Sequence, residues 1–189
     1  MSAANQLQAT MAVADFLAWN PQDSDRWELI DGTPVAMAPA APRHGAIQGE
    51  AIRLIGNHLA ESHPTCRVVA EPGIQPRVRA NLNIRVPDLA VACAPSAPDD
   101  RLLHKPQIVI EILSRSNRAE TWANVWSYVT IPSVVEILVL HTAEIRADLL
   151  CRQADGSWPD NPLVLTSGDQ VELMSIGLTV PLAAFYRTA

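Results

Sequence analysis

Basic residues are scarce in this sequence, and lysine is almost missing. Among the 189 residues, 14 are Lys or Arg and 20 are Asp or Glu, so the formal net charge is −6, and Lys105 is the only lysine. Proteins that bind nucleic acid usually carry a basic excess. An interaction with DNA would therefore need a local basic patch or a divalent metal. Arg77, Arg79 and Arg85 form a loose group that could be such a patch, although a solvated face is its commoner meaning.

Long apolar runs are also missing. No stretch of the sequence has the roughly 20 consecutive apolar residues of a transmembrane helix. Residues 1–8 are polar and lack the basic start and the apolar centre of a signal peptide. We therefore expect a cytoplasmic protein that does not associate with a membrane.

Cysteine and glycine are few, and their spacing excludes several classes of site. Cys66, Cys93 and Cys151 are odd in number and no pair has zinc-ligand spacing, so we expect small core residues rather than a disulfide framework. None of the eight glycines belongs to a G-x-G-x-x-G motif, which disfavours dinucleotide binding. Without a phosphate-cradling loop or a Ser/His/Asp context, an enzyme acting on something other than nucleic acid has little support.

The remaining pattern predicts one α/β domain with a central mixed β-sheet flanked by helices. Its core would span about residues 10–141, and a β extension would follow at 142–189. Asp31-Gly32 between two apolar runs predicts a hairpin. Apolar periodicity predicts helices over 10–19, from about His44 and over 118–129. It predicts strands over 66–70, 73–79, 84–93, 107–114 and 134–141. After these we expect an edge hairpin with ADG at 154–156, a strand at 170–174 and a turn at 181–186.

Two acidic residues interrupt the most apolar of these strands. Asp88 lies in NIRVPDLAVAC (83–93) and Glu111 in QIVIEILS (107–114). A buried carboxylate costs several kcal/mol unless it is paired, protonated or bound to a metal. The two acids are 23 residues apart, far enough for the intervening loop to bring one strand beside the other. Together they predict a site for a hard divalent cation, with the backbone carbonyl of Ile112 as a third ligand.

Each of these residues also has a structural explanation. Asp88 after Pro87 could begin a turn, and Glu111 could be an arginine-paired or protonated core residue. Glu28, in the apolar strand WELI, is a further candidate ligand, but a hairpin glutamate can simply face solvent. His44 could orient a water or touch a phosphate, although polar residues are ordinary at a helix start. The pair of acids favours a metal over the separate structural explanations.

Several motifs, in this order, resemble the Uma-type putative restriction endonuclease family of the PD-(D/E)XK nuclease superfamily. The similarity spans roughly residues 10–141. The motifs are WELIDG (27–32), Met37-Ala38-Pro39, His44 at the head of a helix, VPDLAV (86–91), IVIEILSRSN (108–117), and a helix ending at Tyr128 that is followed by IPSVVEILVL (131–140).

The resemblance implies a restriction-endonuclease-like core in which Asp88 and Glu111 hold Mg²⁺ or Mn²⁺ with a contribution from Glu28. The superfamily lysine, two residues after the second acid, falls at Leu113. The Uma-type group instead carries a lysine one helical turn before the tyrosine, and that position is Asn124 here. Asparagine can donate a hydrogen bond to a phosphate or a water but supplies no positive charge.

Two functions follow from this resemblance and from the missing lysine. The first is a metal-dependent endonuclease that hydrolyses phosphodiester bonds in DNA, with Asp88, Glu111, Glu28, His44 and Asn124 as site residues and with activity impaired by the missing lysine. The second is a non-catalytic nucleic-acid-binding or assembly protein that keeps the nuclease fold. A homodimer is expected in the second case.

Overall fold

A six-stranded mixed sheet organises the chain. The computed structural model describes residues 10–21 and 26–189, so the polar segment 1–8 lies outside the described residues. The sheet has the strand order β3-β4-β5-β6-β7-β8. Its strands are β3 (Arg67–Ala70), β4 (Leu89–Ala92), β5 (Ile108–Leu113), β6 (Glu136–His141), β7 (Arg146–Cys151) and β8 (Leu163–Thr166).

In the described residues, three helices and two small hairpins complete the regular structure. The helices are α1 (Val13–Ala18), α2 (Pro42–Ser62) and α3 (Arg118–Tyr128); β1 (Trp27–Ile30) pairs with β2 (Thr33–Ala36), and β9 (Gln170–Leu173) with β10 (Leu178–Pro181). Short 3₁₀ turns lie at Ala80–Leu82, Met174–Ile176 and Leu182–Tyr186. Across the described ranges no helix is long and apolar enough to cross a membrane.

One parallel strand pair sets the topology. β5 and β6 run parallel, whereas every other neighbouring pair in the large sheet is antiparallel. Parallel neighbours need a crossover connection, and α3 supplies it. The β5–α3–β6 unit therefore fixes α3 over one face of β5, which is the face that carries Glu111.

The alternation of side chains along β5 separates two apolar layers. Ile108, Ile110 and Ile112 pack into the layer that also contains the apolar side of α2. Val109 and Leu113 face the other layer, which α3 covers. Since side chains alternate along a strand, Glu111 points toward α3.

The C-terminal strands share the larger apolar layer with α2. Val171, Leu173 and Phe185 are fully buried in the cluster that contains Ile47 and Ile55 of α2. Arg187 Nη2 also lies 2.6 Å from Glu50 Oε1 on α2. These contacts pack the C-terminal strands against the same helix that covers the central sheet.

The N-terminal hairpin forms as the Asp31-Gly32 step predicts. Both turn residues have positive φ, 49° for Asp31 and 82° for Gly32. The hairpin is a separate two-stranded sheet. Its Leu29 exchanges backbone hydrogen bonds of 3.0 and 2.9 Å with Ile84. The segment that leads into Asp88 is thus held against β1.

The predicted strand at 73–79 was wrong. Ile74 makes only an isolated bridge with Arg85. Pro76 has no N–H to donate to a neighbour, and Arg79 has a φ of 44°, which turns the chain into a 3₁₀ turn. The strand predicted over 84–93 is likewise reduced to β4 at 89–92, after Pro87.

The expectation for the cysteines was also wrong. Cys66 and Cys93 are joined by a disulfide. The antiparallel register pairs Arg67 with Ala92, so the next residues outward, Cys66 and Cys93, lie opposite each other. Cys151 is free and exposed rather than buried in the core.

The buried Asp148 on β7 predicts a loss of stability in acid. His141 Nε2 lies 2.7 Å from its Oδ2 and Arg146 Nη2 lies 3.2 Å from its Oδ1. Burial raises the pKa of Asp148, but the bonds and charges of these two partners outweigh it and leave the pKa below its ordinary 3.8. A carboxylate with a lowered folded-state pKa stabilises the fold above the unfolded-state value, and this stability is lost as the pH falls through the folded-state value.

We therefore expect the free energy of unfolding from urea titrations to fall below about pH 4. Asp148→Asn should remove part of that fall and should cost about 1–3 kcal/mol at pH 7, because the variant no longer makes charge-assisted hydrogen bonds. Asp99→Asn, at an exposed position, is the matched control. Parallel pH profiles for the wild type and Asp148→Asn would contradict the assignment.

Candidate functional site

A cleft of about 500 Å³ lies where the N-terminal hairpin, the start of α2, β4, β5 and α3 meet. Acidic side chains from five positions line it. They are Glu28, Glu71, Asp88, Glu111 and Glu120. The cleft therefore brings together acids from five separate places in the sequence, including both acids that interrupt the apolar strands.

Asp88 directly precedes β4, and three groups contact it. Its Oδ2 accepts a 2.6 Å hydrogen bond from the backbone N–H of Ile112, and its Oδ1 lies 3.1 Å from His44 Nε2. Gln48 Nε2 donates to the Asp88 carbonyl at 3.1 Å. Since His44 and Gln48 are one turn apart on α2, the first turns of this helix dock directly onto Asp88.

Glu111 lies on β5 next to Asp88 across the strand pair. The register pairs Leu89 with Ile110, so the next residues, Asp88 and Glu111, are opposite each other and on the same face. The hydroxyl of Tyr128 donates a 2.6 Å hydrogen bond to Glu111 Oε1. Burial raises the pKa of Glu111 well above its ordinary value, and the charge of Asp88 and direct contact with its carboxyl raise it further.

Glu28 brings a third carboxylate to the cleft from β1. It is almost fully buried, and its Oε1 accepts a 2.6 Å hydrogen bond from the Val86 N–H. Burial is the main cause that raises the pKa of Glu28 to about 6; the Val86 bond opposes the rise, and the charge of Asp88 adds to it. The solvent-facing alternative for this hairpin glutamate is therefore wrong.

His44 and Asn124 line the same cleft from two helices. His44 Nε2 faces Asp88, and its Nδ1 is buried without a hydrogen-bond partner among the described residues. Asn124 is buried on α3, one turn before Tyr128. No hydrogen bond of its side-chain amide is found within the described part of the chain.

The donor chemistry fits a small divalent cation with a partial protein cage. Carboxylate and carbonyl oxygens suit Mg²⁺ and Mn²⁺, which often keep several waters. Ile112 turns its N–H toward Asp88, and its carbonyl points to the same neighbouring strand because the two groups of one strand residue share a direction. Among residues 10–21 and 26–189, no group of three or more His, Cys, Asp and Glu side chains is spaced to hold an ion.

The structure adds residues to the site that the sequence did not assign to it. Tyr128 binds Glu111, Gln48 binds the Asp88 backbone, and Glu71 and Glu120 line the cleft. Helical spacing carried a signal for two of them, because Gln48 is four residues after His44 and Tyr128 is four residues after Asn124. No sequence pattern pointed to Glu120.

The arginine group at 77–85 does not form a basic patch. Arg85 is buried and donates to the Leu29 carbonyl at 3.2 Å. Arg79 Nη1 lies 3.1 Å from Asp31 Oδ2. Arg77 remains exposed and lines a different cavity, of about 700 Å³, which shares no lining residue with the acidic cleft.

Comparisons with known proteins agree with the fold and the motifs. The model of the family described as "Uma2: Putative restriction endonuclease" matches residues 13–183. The uncharacterised protein slr1290 of Synechocystis sp. is 26% identical over 177 residues, which are 92% of this chain and 90% of that protein. A crystal structure of a putative nuclease belonging to DUF820 from Anabaena variabilis superposes with a TM-score of 0.75 at 18% identity, over 93% of this chain and 97% of that one. The predicted α/β class with a central mixed sheet is confirmed.

Glu111→Gln should stabilise the protein when metal is removed. The substitution keeps an acceptor for Tyr128 but takes away a buried negative charge that faces Asp88. Since the folded-state pKa of Glu111 is raised, the wild type loses stability as the pH rises above the unfolded-state value of 4.5. In urea unfolding with a chelator, we expect a gain of about 1–2 kcal/mol at pH 8 that shrinks toward pH 5.

The matched control is Glu61→Gln, at an exposed position of α2. It should leave the free energy of unfolding unchanged at both pH values. A Glu111→Gln protein that is less stable than the wild type at pH 8 would show that the charge of Glu111 is not repelled in the fold.

Proposed function

The chain belongs to the Uma2 putative restriction endonuclease family, and from this we propose that it is a divalent-metal-dependent endonuclease that hydrolyses phosphodiester bonds in DNA. The contact between the Asp88 and Glu111 carboxyls, across the neighbouring strands β4 and β5, is the observation that carries the proposal. A buried glutamic acid whose pKa is raised by burial and by a facing carboxylate is costly for the fold alone. Such a cost is typical of functional sites.

Asp88, Glu111 and the Ile112 carbonyl are the proposed metal ligands. Members of the restriction-endonuclease-like family generally use divalent cations. A bound Mg²⁺ or Mn²⁺ would polarise a phosphate oxygen and lower the pKa of a bound water. Support for the assignment comes from the shared face of the two acids and from the direction of the Ile112 backbone groups.

Glu28 is proposed to orient the attacking water and to accept its proton. A general base works best when its pKa lies near the working pH, and burial raises the pKa of Glu28 to about 6. The Val86 N–H occupies Oε1. The proton would therefore pass to Oε2, which is the other oxygen of this carboxylate.

His44 and Asn124 are proposed to act through different contacts, His44 on the Asp88 carboxylate and Asn124 on a phosphate oxygen. His44 is proposed as a positioning residue, because its Nε2 contacts Asp88 Oδ1 and so fixes the orientation of that carboxylate. Asn124 would donate a hydrogen bond from its amide to a phosphate oxygen across the cleft. This donor is neutral, so it would stabilise developing negative charge less than a lysine at the same position.

A binding protein that keeps the fold without the chemistry is the second candidate. Two observations favour it: the neutral Asn124 in the cleft and the net charge of −6. This candidate would bind nucleic acid or assemble as a homodimer and would leave DNA intact. The cleavage experiment below separates it from the first.

Removal of either strand acid should abolish both metal binding and cleavage. We expect calorimetric titration with Mn²⁺ to show binding in the wild type and at least a tenfold weaker affinity in Asp88→Ala and Glu111→Ala, because each variant lacks one of two carboxylate ligands. Nicking of supercoiled plasmid with Mn²⁺ should disappear in both variants.

Glu61→Ala, at an exposed position of α2, is the matched control for the removal of one acidic side chain. It should bind Mn²⁺ and cleave as the wild type does. Equal cleavage by the wild type and Asp88→Ala would remove the assignment of the site. Metal binding without any nicking by the wild type would favour the second candidate.

Asn124→Lys should increase cleavage. A cationic amine at this position of the cleft would add one charge-assisted contact to the transition state, which is worth about tenfold or more in rate. The measurement is the initial rate of plasmid nicking under saturating Mn²⁺. Ala123→Lys is the matched control, because it adds the same charge at the preceding, exposed residue of α3, which does not line the cleft. Equal rates in the two lysine variants would contradict a specific role for position 124.

A further inference from the structure

Among the described residues, three exposed arginines beside the acidic cleft have no acidic partner. Arg43, Arg115 and Arg118 lie more than 4.0 Å from every carboxylate of the described residues, since none of them forms an ion pair there. Several other arginines do have acidic partners. Arg26 pairs with Glu71, Arg53 and Arg187 pair with Glu50, and Arg146 pairs with Asp148.

Residues 114–117 form a loop along one side of the cleft. Arg115 lies within this loop, and Arg118 directly follows it at the start of α3. Ser114, Ser116 and Asn117 line the acidic cleft, whereas Arg115 and Arg118 line an adjoining cavity of about 280 Å³. The loop is held in shape because Asn117 Oδ1 accepts 2.8 Å hydrogen bonds from both the N–H and the hydroxyl of Ser114. Arg115 is four residues from Glu111, so their Cα atoms are at most about 14 Å apart.

Arg43 approaches the same side from the start of α2. It lines the acidic cleft and directly precedes His44, which contacts Asp88. Burial raises the pKa of Tyr186 to about 12, and the charge of Arg43 is among the effects that oppose this rise. The Tyr186 hydroxyl accepts a hydrogen bond from the backbone N–H of His141, a residue that lines the smaller cavity with Arg115 and Arg118.

A cleft lined by five acidic residues repels a polyanion, and the net charge of −6 adds to this repulsion. Phosphate contacts by Arg and Lys supply most of the affinity of proteins for DNA. Such contacts must therefore come from cations beside the acids that are not already neutralised by carboxylates. Because the arginines line two adjoining cavities, they suit a ligand with several phosphates better than a single small anion.

We propose that Arg43, Arg115 and Arg118 form the edge of the protein that binds the DNA backbone next to the bond to be cut. This inference rests on the proposed function for the identity of the ligand, and it adds the residues that hold that ligand. The arginines would position the duplex through its phosphates, so they would contribute affinity without sequence preference.

The salt dependence of DNA binding tests this edge independently of cleavage. Binding of a fluorescein-labelled 20-base-pair duplex would be measured by anisotropy, with a chelator present, between about 50 and 200 mM salt. We expect the Arg115→Gln/Arg118→Gln double variant to bind at least tenfold more weakly than the wild type at the lowest salt. The slope of log K against log salt should become shallower by about 1.8, or about 0.9 for each phosphate that an arginine no longer neutralises. Arg43→Gln should reduce the slope by about 0.9.

Arg101→Gln is the matched control, because it removes the same charge from an exposed arginine that lines neither cavity. Its slope should equal that of the wild type, and melting temperatures would establish that all variants are folded. A double variant with the wild-type slope would overturn the edge, and so would a wild type that binds no duplex at any salt.

Plasmid nicking with Mn²⁺, measured on the same preparations, tests the proposed function separately. Nicking by a wild type whose DNA affinity is insensitive to the arginine substitutions would overturn the edge and leave the nuclease standing. Arginine-dependent binding without any nicking would support the edge and overturn the nuclease.

Discussion

The contact between Asp88 and Glu111 is the constraint on which the rest of the site depends. Burial and the charge of the facing Asp88 carboxyl raise the pKa of Glu111, and the fold must hold the two acids together against their repulsion. Hydrogen bonds to the carboxylates provide part of this hold: the Ile112 N–H binds Asp88 and the Tyr128 hydroxyl binds Glu111. Both donors come from elements that the topology fixes, since Ile112 lies on β5 and Tyr128 ends the crossover helix.

Each helix at the site has a structural reason to be where it is. α3 is the crossover that the parallel β5–β6 pair requires, and this places Tyr128 and Asn124 over Glu111. α2 buries Ile47 and Ile55 against the other face of the sheet, and its first turns extend beyond the end of β4, where His44 and Gln48 meet Asp88. The apolar packing of the two helices therefore sets the geometry of the acids, and Tyr128 belongs both to that packing and to the site.

Much of this arrangement could be predicted from the sequence, and the failures have definite causes. Hydrophobic runs predicted the central strands, and the acids within them predicted a shared site, because a charge in such a run is costly without a partner. The strand at 73–79 failed because Pro76 and the left-handed Arg79 interrupt its pairing. The disulfide could not be predicted because it depends on the register of β3 and β4, which the spacing of Cys66 and Cys93 does not encode.

The arginines around the cleft fall into bonded and unbonded groups, and a count of basic residues does not distinguish them. An acidic chain can still bind a polyanion if some of its cations are placed where the polyanion lies and are left unpaired. Arg79 and Arg85 are committed to Asp31 and to the Leu29 carbonyl, so they stabilise the fold near the site. Within the described part of the chain, Arg115 and Arg118 carry no such bond. With a neutral Asn124 inside the cleft, positive charge for a phosphate would have to come from this outer edge and from a metal. Under the proposed function, DNA affinity and catalysis would then be properties of different residues.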